Sequence, residues 1–85
     1  MSVRVTIETA SKAEAQLIAE ELPQRVEARS WRGFGVIRLA ANSKEETKTL
    51  LDVVSRSFNQ HGLKWARVRY GDEEFVFRAN GHPAG

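Results

Sequence analysis

The chain contains no cysteine, and this absence removes several classes of site. Without thiols there is no disulfide framework, no cysteine nucleophile and no cysteine-ligated zinc site. No segment approaches the roughly 20 apolar residues of a membrane-spanning helix. The N-terminus alternates apolar and polar residues, unlike the continuous apolar segment of a signal peptide. We therefore expect a soluble protein of the cytoplasm that has no membrane partner.

The sequence also has few residues from which a catalytic or metal site could be built. Its two histidines, His61 and His82, lie far apart, and no glycine-rich phosphate-binding motif is present. The acidic residues fall mainly on the predicted solvent sides of helices, so no set of nucleophile, base and orienting group can be assembled. Metal ligation is excluded for the same reason. We therefore expect no enzymatic activity, no metal and no cofactor.

The length and composition indicate one small globular domain. Apolar content is 41%, and charged residues of both signs leave a net charge of only +2. A chain of this size can bury one compact core. We predict a single domain over residues 1–79, followed by a flexible Gly/Pro-containing tail at 80–85.

Two helices are predicted from repeated start signals. The pattern Ser-Lys-x-Glu occurs at Ser11 and again at Ser43, and each predicts a capping box in which serine and glutamate bond backbone N–H groups reciprocally. Apolar residues follow at helical spacing in both segments. Pro23 is expected to stop the first helix, and Gly62 the second.

The remaining segments alternate apolar and polar residues, as strands do. Residues 25–31 and 34–41 form a predicted hairpin about Arg32-Gly33, and residues 65–70 and 73–78 form another about Gly71-Asp72. With a first strand near residues 3–7, the order is β-α-β-β-α-β-β. This order predicts a ferredoxin-like α+β sandwich, with an antiparallel sheet in the order 2-3-1-4-5 and both helices on one face. Core positions of the last hairpin are Val68, Tyr70, Phe75 and Phe77.

Strand alternation places many arginines and three large aromatic rings on the other, uncovered face of the sheet. Glu27–Arg38 and Arg69–Glu74 are predicted cross-strand ion pairs, which leaves several arginines without a partner. Aromatic rings stack on the bases of single-stranded nucleic acid, while guanidinium groups hold its phosphates. The candidate binding residues on this face are Arg4, Arg29, Trp31, Arg32, Phe34, Val36, Trp65, Arg67 and Arg69.

Residues 32–39, Arg-Gly-Phe-Gly-Val-Ile-Arg-Leu, resemble the RNP1 octapeptide of the RNA recognition motif, a family with the same β-α-β-β-α-β order. The resemblance implies that Arg32 contacts a phosphate and that Phe34 stacks on a base. Val36 stands where that family usually has a second aromatic residue.

We therefore expect a small module that binds single-stranded RNA or DNA through the uncovered sheet face. Tryptophan and arginine are also frequent at protein interfaces, so a protein-interaction module that uses the same face is the alternative. That alternative includes a face-to-face homodimer and an adaptor or inhibitor of a partner protein. A ligand-sensing domain of ACT type shares the fold plan and ranks last, since Glu8-Thr9-Ala10 offers no special feature at its usual ligand position.

Overall fold

A computed structural model describes residues 2–78, and the predicted tail at 80–85 lies outside this range. The elements in chain order are β1 (Val3–Thr9), α1 (Lys12–Glu21), β2 (Arg29–Trp31), β3 (Phe34–Ala41), α2 (Lys44–His61), β4 (Trp65–Tyr70) and β5 (Glu73–Arg78). The strands form one sheet in the order β2-β3-β1-β4-β5, with every neighbouring pair antiparallel. The predicted ferredoxin-like α+β arrangement is confirmed.

The core lies between the sheet and the two helices. Ile7 of β1, Ile37 of β3 and Val68 of β4 are fully buried on the same side of the sheet, where they join Ile18 of α1 and Val54 of α2 in one apolar cluster. Burial of each such side chain stabilises the fold by about 1.5–3 kcal/mol. Both helices therefore occupy one face, and we call the opposite side of the sheet the open face.

Helix α1 begins at its predicted cap, but the glutamate of the motif binds elsewhere. The Ser11 hydroxyl accepts a hydrogen bond from the Glu14 N–H at 3.3 Å. The Glu14 carboxylate accepts from the backbone N–H of Lys64, at 3.2 Å, instead of returning to the cap. The predicted reciprocal bond is therefore wrong, because Glu14 ties the helix start to the loop before β4.

Helix α2 has both of its predicted ends. Ser43 accepts from the Glu46 N–H at 3.1 Å, while the Glu46 carboxylate accepts from the N–H of Asn42 at 3.0 Å, one residue before the predicted partner. Gly62 ends the helix in the left-handed conformation with φ 62°. A side chain is disfavoured in that conformation, so glycine suits the position.

The two hairpin turns are those predicted from the sequence. Arg32 (φ 52°) and Gly33 (φ 87°) both have positive φ, as a type I′ turn requires. Across this turn Trp31 pairs with Phe34 in the predicted register. In the second turn Gly71 has φ 56°, which fits the first central position of a type II′ turn.

Strand β2 is shorter than predicted. Only Arg29–Trp31 pair with β3, whereas the sequence pattern extended the strand back to residue 25. Val26 and Ala28 keep their predicted core positions, but the Gln24 side chain donates to the Ala40 carbonyl at 3.2 Å and bonds the β3 backbone at this end. The predicted Glu27–Arg38 pair is therefore wrong, because Glu27 lies outside the ladder.

Phe75 lies on the predicted side of the sheet but is not a core residue. It pairs with the buried Val68 across the β4–β5 ladder, yet its side chain is 38% exposed. Its ring stacks on Tyr70 with centroids 5.8 Å apart. Because β5 is an edge strand, alternation alone overestimates burial there.

Candidate nucleic-acid interface

Strand registers divide the open face into rows that cross the sheet: a short row at one end contains Arg4 and Ala40, and three longer rows contain the other positions. Residues directly opposite one another on neighbouring strands lie on the same face. In order from β2 to β5, the aromatic row contains Trp31, Phe34, Trp65 and Arg78; the central row contains Arg29, Val36, Glu8, Arg67 and Val76; and the far row contains Arg38, Thr6, Arg69 and Glu74.

The three rings of the aromatic row form a partly exposed cluster, which we call the ring cluster. Trp31 is 52% exposed and Phe34 is 43% exposed, while Trp65 is half-buried. Phe34 and Trp65 meet edge to face, with ring centroids 5.8 Å apart. They can meet although β1 lies between their strands, because β1 ends at Thr9, one position short of this row.

A guanidinium group lies beside the outermost ring. The Arg32 guanidinium carbon is 5.0 Å from the centroid of the Trp31 ring, within the range of a cation–π contact. The type I′ turn produces this contact, since it projects Arg32 immediately next to the strand end that carries Trp31. A positive charge therefore stands at the rim of the ring cluster.

The ring cluster borders a cavity of about 610 Å³ on the open face. Its volume is in the range of pockets that accept small molecules or single nucleobases. The walls combine apolar rings with charged groups of mostly positive sign. The lining residues are Glu8, Trp31, Phe34, Lys64, Trp65, Arg67, Val76 and Arg78.

Glu8 and Arg67 form an ion pair in the middle of the face. The Glu8 carboxylate accepts from Arg67 Nε at 2.7 Å and also contacts a terminal nitrogen of the same guanidinium. Another terminal nitrogen of Arg67 lies 3.5 Å from the Glu74 carboxylate. Only 16% of the Glu8 side chain is exposed, so this pair is better shielded from water than an ordinary surface pair.

The position of Glu74 corrects a second predicted ion pair. Arg69 and Glu74 are opposite each other in the β4–β5 register, as predicted. The Glu74 carboxylate nevertheless contacts the diagonal neighbour, Arg67, which already holds Glu8. The predicted Arg69–Glu74 pair is therefore wrong, and Arg69 stays without a carboxylate partner among residues 2–78.

Several arginines of the open face have no carboxylate within ion-pair distance in the described part of the chain. These are Arg4, Arg38, Arg69 and Arg78. Arg29 has only a 3.7 Å contact with Glu27, and both side chains are largely exposed. Such a pair contributes at most about 1 kcal/mol, so Arg29 can exchange it for another anion.

The structure brings some of the predicted binding residues together and separates others. Trp31, Arg32, Phe34 and Trp65 form one group, with Arg29 in the adjacent central row. Arg4 and Arg69 lie toward the other end of the face. Val36 is on the face but only 5% exposed, so it belongs to the floor of the face.

Sequence reasoning omitted four cavity-lining residues from the candidate site, namely Glu8, Lys64, Val76 and Arg78. Glu8 has the same strand parity as Arg4 and Thr6, so one further step of alternation would have placed it on the open face. Val76 and Arg78 have the same strand parity as Glu74, so alternation places both on the open face, and the β4–β5 register puts Arg78 in the aromatic row beside Trp65. Lys64 precedes β4 and had no pattern that would identify it.

Within residues 2–78, no group of three or more histidine or acidic side chains is placed to hold a metal ion, and no helix has the length and apolar character needed to cross a membrane. Comparisons of the chain with models of known protein families, with characterised proteins and with solved structures found no match.

Proposed function

We propose that the open face binds single-stranded nucleic acid. The observation that carries this proposal is the exposed ring cluster, set beside Arg32 and Arg78, which have no carboxylate partner in the described chain. Stacking of a base on an aromatic side chain is worth about 1–3 kcal/mol, and it tolerates any base because every base has a π-face. This chemistry fits a module that recognises the single-stranded state more strongly than a particular sequence.

The residues of the open face have different roles in this proposal. Trp31 and Phe34 are the stacking platforms, because they are the most exposed rings of the cluster. Arg32 contacts a phosphate next to the base on Trp31, which is also the role that the RNP1 resemblance implies. Arg67 is a positioning residue, since its guanidinium is held by Glu8 and Glu74.

The charge distribution supports an anionic ligand. The strand positions of the open face carry six arginines and two glutamates, whereas the two helices carry more acidic than basic residues. A polyanion is therefore attracted to the open face and repelled by the helices. The proposed setting is the cytoplasm, as expected from the sequence.

The test compares two exposed phenylalanines on opposite sides of the sheet. A fluorescently labelled single-stranded oligonucleotide of about ten nucleotides, in DNA and RNA forms, is titrated with protein at low salt, and its anisotropy is measured. Phe34→Ala is expected to weaken binding by about tenfold, which corresponds to the loss of one stacked base. Phe75→Ala, on the helix side, is the matched control and should leave the affinity unchanged.

Two results would contradict the proposal. The first is no binding of either oligonucleotide by the parent protein at low salt. The second is an equal loss of affinity in the Phe34 and Phe75 variants, which would mean that binding does not use the open face.

A protein-interaction role for the same face is the second candidate. The 610 Å³ cavity, with three rings in its walls, could accept an anchoring side chain of a protein partner. A face-to-face homodimer would make the emission of both tryptophans blue-shift with protein concentration, and its stability would depend little on salt. Such a result without any oligonucleotide binding would favour this second candidate.

A further inference from the structure

Strand β5 forms one edge of the sheet and has features of a pairing surface. Among residues 2–78, no strand lies beyond it. Phe75 and Val76, at its centre, are 38% and 49% exposed. An edge strand with unpaired backbone groups and exposed apolar side chains is a template for another strand.

The two-residue turn determines which backbone groups of β5 point outward. Tyr70 and Glu73 flank the turn, so they form a hydrogen-bonded pair. Bonding then alternates along the ladder, and Phe75 and Phe77 also direct their N–H and C=O groups toward β4. The outward N–H and C=O groups are those of Glu74, Val76 and Arg78.

We propose that a second copy of this chain pairs antiparallel with β5, with Val76 opposite Val76 of the other copy. A twofold axis perpendicular to the sheet keeps the helices of both copies on one side. The three outward-facing residues then form three hydrogen-bonded pairs, with about six backbone hydrogen bonds. Glu74 of each copy lies opposite Arg78 of the other, so two ion pairs form.

The side chains favour this register over its alternative. Phe75 lies opposite Phe77 of the other copy on the helix side, which covers the exposed Phe75 ring. The nearest alternative register that also keeps the helices of both copies on one side of the sheet places Phe75 opposite Phe75 of the other copy. It offers only about four backbone bonds and puts Glu74 opposite Val76, without an ion pair. Charge complementarity therefore selects a second copy in the first register.

Edge pairing would join the two open faces without covering them. The product is a continuous sheet of ten strands, two sets of the five present in one chain. From strand spacings of about 4.8 Å and a rise of about 3.3 Å per residue, the two Trp65 positions would be roughly 20 Å apart. The proposal does not depend on nucleic-acid binding, although one strand could then contact both ring clusters.

The first test uses proline at the two edges of the sheet. Val76→Pro removes an outward N–H and no bond to β4, so the monomer should keep its fold while dimerisation weakens by at least about tenfold. Ser30→Pro is the matched control on edge strand β2, where the hairpin register also directs the Ser30 N–H outward. Sedimentation equilibrium over a range of concentrations measures dimerisation, and circular dichroism checks the fold.

The second test uses the two cross-copy ion pairs. Glu74→Arg alone and Arg78→Glu alone each bring like charges together twice in a homodimer, and each should weaken it by about tenfold. An equimolar mixture of these two variants should dimerise again, because both pairs are complementary in the mixed dimer. If dimerisation recovers on mixing, the single variants were weakened by the like charges of the proposed register and not by a general loss of stability.

The following outcomes would overturn the proposal. The parent protein could remain monomeric up to millimolar concentration. It could also dimerise with an affinity that Val76→Pro does not change, or the mixture of charge variants could show no recovery. In a Trp65→Phe variant, which keeps only Trp31 on the opposite edge strand, a dimer that shifts tryptophan emission on dissociation would likewise place the contact on the open face instead of at β5.

Discussion

Arg32 occupies a backbone conformation that is unfavourable for its side chain. Its φ of 52° costs an L-residue about 1–2 kcal/mol, and asparagine tolerates it much better in a type I′ turn. The exposed cation–π contact with Trp31 stabilises the folded state by only about 0.5–1 kcal/mol. We therefore predict that Arg32→Asn raises the free energy of unfolding by about 0.5 kcal/mol, measured by urea denaturation.

The same variant tests whether Arg32 is retained for binding. If Arg32 contacts phosphate, Arg32→Asn should bind the oligonucleotide more weakly than the parent although it is more stable. A variant that is both more stable and equally tight in binding would show that Arg32 has no part in recognition.

Gly35 lies where β3 passes close to the start of α1. A Cβ atom at this position would collide with the backbone carbonyl of Ser11 and lie 2.7 Å from the Cβ of Ala15. We predict that Gly35→Ala lowers the free energy of unfolding by about 1–3 kcal/mol, because β3 and α1 would have to separate. Thermal and urea unfolding of the variant give the measurement.

Gly33→Ala is the control for this prediction. Its Cβ would meet no atom within 4 Å, and its φ of 87° makes the cost one of backbone strain alone. The Gly33 variant should therefore keep the native near-ultraviolet circular dichroism of the packed core. An equally native spectrum and full stability in the Gly35 variant would contradict the close approach.

At the scale of elements, one contact joins the ends of the two helices. His61 Nε2 lies 2.9 Å from the Glu21 carboxylate. This hydrogen bond lowers the pKa of Glu21 below its ordinary value of 4.5. Folding therefore favours the ionised carboxylate, and the stabilisation is present above the unfolded-state pKa and lost as pH falls through the folded-state value.

We predict that Glu21→Gln lowers stability at neutral pH and that its difference from the parent shrinks as pH falls from about 5 to 3. Urea unfolding at a series of pH values measures this. Glu20→Gln, whose side chain contacts Gln16 instead, is the control and should show no comparable change between the same limits. A Glu21 difference that is constant with pH would contradict the role of its charge.

The elements themselves could be predicted because their signals are local. The capping serines, Gly62 and the two hairpin turns each act within a few residues, and all appear where expected. The length of β2 could not be predicted in the same way. Alternation at Val26 indicates burial, but burial does not ensure backbone pairing: residues 25–28 do not pair with β3, whose Ala40 carbonyl accepts a hydrogen bond from the Gln24 side chain.

The candidate site shows the same division between local and distant signals. Strand parity and the turn placed Trp31 opposite Phe34. The choice of partner for Arg67 depends on three strands at once, since Glu8 and Glu74 approach it from opposite sides. Such ion pairs depend on how far each side chain extends, both to the residue directly opposite and to the diagonal neighbour. Counting residues along one hairpin does not give this information.

At the scale of the whole molecule, the uneven charge predicts a strong dependence of binding on salt. Each phosphate neutralised on a single strand contributes about −0.7 to the slope of log affinity against log salt. Arg38 has no carboxylate partner among residues 2–78, so Arg38→Ala should make the slope shallower by about 0.7 and weaken binding at low salt. Arg56→Ala, on the solvent side of α2, is the matched control, because it removes the same charge from the other face. Anisotropy titrations at four salt concentrations give both slopes. If the two variants change the slope equally, binding follows net charge and not the open face.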